Sequence, residues 1–163
     1  MTASIDGERD VMAHALVPVA DDSDARATAR ALAPHDPDRV TVAYVVEKGG
    51  GVPDKTPVEQ SEEVAKAAFE AFREEFGPAD DRVLYDRDVV DAIVRVAEEV
   101  DASVIAFRPR GGNRIVQFLA GDKTLRLVTE SDRPVVTLPD PETDAAVTEI
   151  TPDDTTETGD GTE

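Results

Sequence analysis

Residues 12–19 read Met-Ala-His-Ala-Leu-Val-Pro-Val, apolar at nearly every position. A strand wetted on one face alternates apolar and polar residues, so an unbroken apolar run points to a strand covered on both faces, as in a parallel sheet. The segment after it has a different period. Residues 23–33 place Ala25, Thr28, Ala29 and Leu32 at helical spacing, with acidic residues at the start to cap the helix and Pro34 at its end. Residues 40–46 then return to an apolar strand pattern, and Gly49, Gly50 and Gly51 follow as a loop.

The alternation continues outward. Thr56-Pro57-Val58-Glu59 combines a threonine cap, a proline in the first helical position and a glutamate at the third, which predicts a helix start. Val64, Ala65, Ala68, Phe69, Phe72 and Phe76 form its apolar stripe, and Gly77-Pro78 stops it. A short strand is expected over 82–85. Asp88 can cap a third helix carrying Val90, Ile93, Val94, Ala97 and Val100. A fourth strand over 102–107, a helix over 122–130 and a proline-flanked strand over 134–138 complete the series. The expected fold is α/β, a parallel sheet with helices on each side, in one domain over 11–139. Residues 1–10 are expected to be a flexible N-terminus. Residues 140–163, rich in Asp, Glu, Thr and Gly without an aromatic residue, read as an acidic disordered tail.

Composition removes several function classes. No cysteine is present, which excludes disulfides, thiolate metal ligands and cysteine nucleophiles. His14 and His35 are the two histidines, too few for an ordinary zinc centre. No serine lies in a motif that would set a histidine beside it, and the lysine-bearing P-loop signature is absent. The chain carries 36 acidic against 17 basic residues, a net charge of -19. Such a field repels nucleic acid and anionic membrane. With few lysines, it suits a salt-filled cytoplasm, where the Debye length falls to ~3 Å at 1 M. No stretch approaches the ~20 apolar residues that span a bilayer, so a cytoplasmic protein without membrane insertion is expected.

Leu16-Val17-Pro18-Val19, the helix after it, Asp101-Ala102-Ser103-Val104-Ile105, the spacing of Gly111 and Gly121, and Arg133-Pro134-Val135-Val136 together resemble the universal stress protein family. The resemblance covers about 11–139. It implies a Rossmann-like, five-stranded sheet of order 3-2-1-4-5 sandwiched by four helices, with a ligand crevice at the strand carboxyl ends. ATP-binding members carry G-x-x-G-x9-G-[ST] after the fourth strand and an aspartate just after the first. Gly111 and Gly121 keep that spacing, while Arg108 stands at the first glycine, Asp122 at the hydroxyl position and Ala20 at the adenosine-contacting aspartate. Asp21 is displaced by one place. Val45 and Val46 match the apolar edge that packs near adenine.

The nucleotide- or anion-binding candidates are therefore Val17, Pro18, Ala20, Val45, Val46, Arg108, Arg110, Gly111, Gly112, Gly121 and Asp122. Two readings of Arg108 stand: its guanidinium fills the space of a phosphate or binds a smaller anion, or it pairs with surface acids. Asp122 suits a helix N-terminus and repels a triphosphate. Residues 102–121 contain no acid but hold Arg108, Arg110 and Arg114, a positive island in an acidic chain. No cofactor follows with certainty; ATP, AMP or a small anion are the ligands left open. The expected function is a non-catalytic, stress-response binding or regulatory protein that does not hold ATP tightly. The alternatives are slow ATP hydrolysis and a soluble regulatory subunit of a membrane transporter. The resemblance also implies a homodimer through fifth strands, with Val135, Val136 and Leu138 as the apolar edge.

Overall fold

The computed structural model describes residues 10–48, 58–109 and 122–139. The elements run β1 (Ala15–Pro18), α1 (Asp22–Leu32), a 3-10 turn (Ala33–His35), β2 (Val40–Glu47), α2 (Val58–Phe76), β3 (Asp80–Asp86), α3 (Val89–Glu99), β4 (Val104–Phe107), α4 (Asp122–Glu130) and β5 (Val135–Thr137). The strands form a five-stranded sheet of order β3-β2-β1-β4-β5. Every pairing is parallel. Rossmann-like α/β architecture follows from that order and from the helices on both faces.

Side-chain alternation divides the apolar residues into two layers. Ala15, Val17, Val19, Val42, Val104 and Ala106 meet Ala25, Ala29, Leu32, Ala68, Phe69 and Phe72 on the α1/α2 side. Leu16, Ala43, Val45, Ile105 and Phe107 meet Val90, Ile93, Val96, Ala97 and Leu127 on the α3/α4 side. Alanines on α1 and α2 let the two helices approach closely, and Arg26–Glu74 and Arg30–Glu75 bridge their outer faces. The Phe72 and Phe76 rings lie 5.3 Å apart, centroid to centroid. Gly77, at φ 115°, ends α2 in a conformation that a side chain would strain.

The bounds of all five strands differ from expectation, β2 only by ending one residue later, at Glu47. β1 begins at Ala15, because the Met12 N–H turns to Asp10 Oδ1 rather than joining a ladder. β3 is longer than its apolar core, spanning Asp80–Asp86 as an edge strand whose outward residues are wet. β4 begins at Val104, since the Ser103 N–H and hydroxyl are held by the His14 carbonyl. β5 is confined to Val135–Thr137. The expected Thr56 cap and the loop at Gly49 to Gly51 lie outside the described residues, as do residues 1–9 and 140–163.

Phe72 is fully buried in the α1/α2 layer. Phe72→Ala is expected to cost about 3–5 kcal/mol of unfolding free energy, read from the urea midpoint at unchanged m-value.

Candidate functional site

The order of the sheet reverses between β1 and β4, and a crevice of this fold opens at the carboxyl ends of those strands. Past β1 the chain passes through Val19 and Ala20 into the cap of α1, where Asp21 Oδ1 accepts the Asp24 N–H at 2.7 Å. Arg108 follows β4 directly. Ala15 pairs with Val104 and Leu16 with Ile105, so the same register sets Arg108 level with Val19. Alternation from Val104 and Ala106 sends its side chain toward α1.

There it meets Asp24, in the first turn of α1. Arg108 Nη2 lies 3.7 Å from Asp24 Oδ1, with side-chain exposures of 1% and 6%. The other carboxylate oxygen, Oδ2, accepts the Ala20 N–H at 3.0 Å, and the Thr28 hydroxyl reaches Oδ1 at 3.4 Å. A single buried carboxylate thus faces a buried guanidinium, the turn after β1 and the next turn of its own helix. Arg108 is a strand-end arginine that pairs with an acid, but the acid is buried rather than on the surface. Asp24 was not among the sequence-derived candidates. Its signal was available: Asp24, Ala25, Thr28 and Ala29 share the inward face of α1, and an acid on an inward face requires a partner.

Among the other candidates, Val17 and Val45 point into the two core layers, and Pro18 and Val46 are buried. Ala20 is half-buried just past β1, engaged through its backbone. Asp122 is exposed and opens α4 as the acid of its first turn. Arg110, Gly111, Gly112 and Gly121 lie outside the described residues. On β5, Val135 and Val136 are half-buried, whereas Leu138 is buried in the α1/α2 layer and its N–H binds the Phe107 carbonyl. The apolar edge is therefore narrower than expected.

Residues 12–139 match the universal stress protein family. The chain belongs to that family. A universal stress protein from Archaeoglobus fulgidus is 20% identical, with 84% of this chain and 99% of that one covered and a TM-score of 0.56. A structure of the universal stress protein from Archaeoglobus fulgidus in complex with dAMP is 22% identical over 76% of this chain and 95% of that one, TM-score 0.57. A universal stress protein in complex with cAMP is 16% identical over 77% and 95% respectively, TM-score 0.54. At these identities the likeness concerns the fold. No curated protein matches the sequence significantly.

In this universal stress protein, ion pairs fasten α4 beside the crevice. Lys123 reaches Glu47 at the end of β2 at 3.2 Å. Arg126 binds Asp88 at 2.8 Å, with Asp91 and Glu130 around it. At the opposite end of the sheet, a groove of about 430 Å³ is lined by Arg39, Arg73 and Arg82 among others. Each faces a carboxylate, respectively Asp80, Asp81 and Glu99. Near it, His14 Nε2 lies 2.8 Å from the Thr41 hydroxyl, and burial pushes the imidazole below its ordinary value. Among the described residues, no cluster of His, Cys, Asp or Glu is arranged to hold a metal ion. No described helix is long and apolar enough to cross a membrane.

Asp88 joins the cap of α3 to the fastening of α4. Its carboxylate accepts the N–H groups of Val90 and Asp91, and the Asp91 N–H, then Arg126, hold it below the usual carboxylate range. The unfolded chain therefore takes the proton first as pH falls. The stabilisation is complete above the ordinary carboxylate value of ~3.9 and is lost as pH drops through the folded value. Asp88→Asn keeps a capping oxygen but loses the charge. It is expected to lower stability at neutral pH by less than about 1 kcal/mol and to flatten the acid limb of a denaturation series from pH 7 to 3.

Proposed function

We propose that this protein is a non-catalytic stress-response regulator that acts by association in a salt-rich cytoplasm, and that its crevice does not hold ATP tightly. The observation that carries this reading is the buried Arg108–Asp24 pair at the carboxyl ends of β1 and β4. Glycines at such a loop let backbone amides approach a phosphate; an arginine at the first of them brings a side chain into that space. Here the side chain is buried and turned toward an internal carboxylate. Asp122 adds a negative charge at the start of α4, where the helix dipole would otherwise favour an anion. Ala20 offers a backbone amide, already bound to Asp24, where the resemblance places an aspartate. Universal stress proteins of the same fold are described in complex with dAMP and cAMP, which makes adenine nucleotides the ligand class to test.

Calorimetric titration with Mg-ATP and AMP in molar KCl tests this. The unsubstituted chain is expected to bind ATP no tighter than roughly millimolar, and Arg108→Gly/Asp122→Ser to gain affinity. Micromolar binding by the unsubstituted chain overturns the reading.

The reading includes a homodimer through β5. β5 is a three-residue strand paired only with β4 among the described residues, with Val135 and Val136 half-buried beside the open edge. Light scattering in molar KCl is expected to give twice the chain mass; a monomeric mass counts against pairing.

A further inference from the structure

We propose that Arg133 anchors a small binding site at the amino ends of β4 and β5, at the opposite end of the sheet from the crevice, and that the site takes a short aliphatic monocarboxylate. Arg133 lies between the turn that leaves α4 and the start of β5. The Ser131 hydroxyl accepts the Arg133 N–H at 3.0 Å and donates to the Arg133 carbonyl at 2.9 Å, and the Pro134 carbonyl accepts the Ile105 N–H of β4. The backbone is thus held on both sides of this residue. Its side chain is 15% exposed, and Nη1 donates to the Ala102 carbonyl at 3.1 Å. The same nitrogen stands 3.9 Å from Asp101 Oδ1, on a largely exposed side chain. The other edge of the guanidinium is unclaimed: Nε is buried without an acceptor, and Nη2 makes no hydrogen bond among the described residues. A buried donor without an acceptor is costly, more so when it belongs to a charged group, so this edge calls for a partner.

A cavity of about 180 Å³ adjoins Arg133, walled by Val11, Ala102 and Pro134 and completed by Ser103 and Asp132. The Ser103 hydroxyl is already committed, donating to the Val11 carbonyl at 2.6 Å and accepting the His14 N–H at 2.8 Å. Arg133 therefore supplies the open donors. The N–H groups of Nε and Nη2 run side by side, the arrangement that the two oxygens of a carboxylate match. Charge selects among anions. Asp132 contributes a negative charge to the lining and the chain carries a net charge of -19, so a ligand with one negative charge is repelled less than one with two or more. Size selects the body: the cavity has room for roughly six waters at ~30 Å³ each, enough for a few carbons lying against Val11, Ala102 and Pro134. The fixed guanidinium fork thus meets the carboxylate, and the apolar wall meets its short chain.

The full chain is titrated with potassium propionate in KCl of matched ionic strength, while NMR follows the Arg133 Nε–H and the backbone amides of Ala102, Ser103 and Arg133. These signals are expected to shift and saturate with a roughly millimolar Kd, and inorganic phosphate to bind at least about tenfold more weakly. Arg133→Lys keeps the positive charge without the fork and is expected to weaken propionate about tenfold; Arg133→Met is expected to abolish the shifts at Ala102 and Ser103. Shifts that do not saturate in the unsubstituted chain overturn the proposal. So do shifts at Ala102 and Ser103 that survive Arg133→Met, or phosphate binding as tight as that of propionate. The Arg133 Nε–H is read in the unsubstituted chain, so the decisive measurement stands even where a variant fails to fold.

Discussion

The whole arrangement depends on the requirement that β1 and β4 be dry on both faces. A parallel pair at the centre of a sheet has no solvated side, so helices must cover it above and below. In this chain β1 and β4 are fully buried, and the apolar residues split evenly to either side by simple alternation. That constraint leads the chain off the two strands at adjacent points. It also determines that whatever follows β4 by one more residue on the α1/α2 side will be covered, charged or not.

Arg108 inherits that position. Its burial is a result of periodicity, since Val104 and Ala106 precede it on the same face. A guanidinium so placed is costly unless an acid accompanies it, and the nearest helix supplies one in its first turn. The position of Asp24 on α1 is thus understood from β4, although the two belong to opposite halves of the sequence. Thr28, one turn later, and the Ala20 amide also bind the carboxylate.

The architecture was legible in the chain because its central signals are local. The Asp88 cap, the stripe of α2 and the apolar runs of β1, β2 and β4 each announce themselves within a few residues. What escaped was set by partners distant in sequence. β3 extends through Asp80 and Asp81 because β2 pairs with it from Thr41 to Glu47, while its outward side chains remain wet and carry no strand pattern. β1 and β4 are shorter than their apolar runs because Met12 and Ser103 bind turn partners. In α3 the buried face includes Val89, Ala92 and Val96, wider than a single stripe, because both the sheet and α4 lie against it. At the crevice, Arg108 was visible as a departure from a glycine pattern, but its counter-charge was not, since an acid near a helix start reads first as a cap.

The fastening of α4 has a consequence for how the fold tolerates its surroundings. One residue of this helix, Leu127, is buried, while Lys123 and Arg126 hold the helix to β2 and α3 through partly exposed ion pairs. These two kinds of attachment answer oppositely to brine: concentrated salt screens the ion pairs and strengthens apolar contact when its ions are excluded from the surface. Partly exposed ion pairs contribute about 0–1 kcal/mol each and a buried leucine about 1.5–3, so Leu127 is the larger anchor in dilute buffer and in brine alike. The seat of α4 thus keeps its main attachment as ionic strength rises, with the charges adding to it where screening is weak.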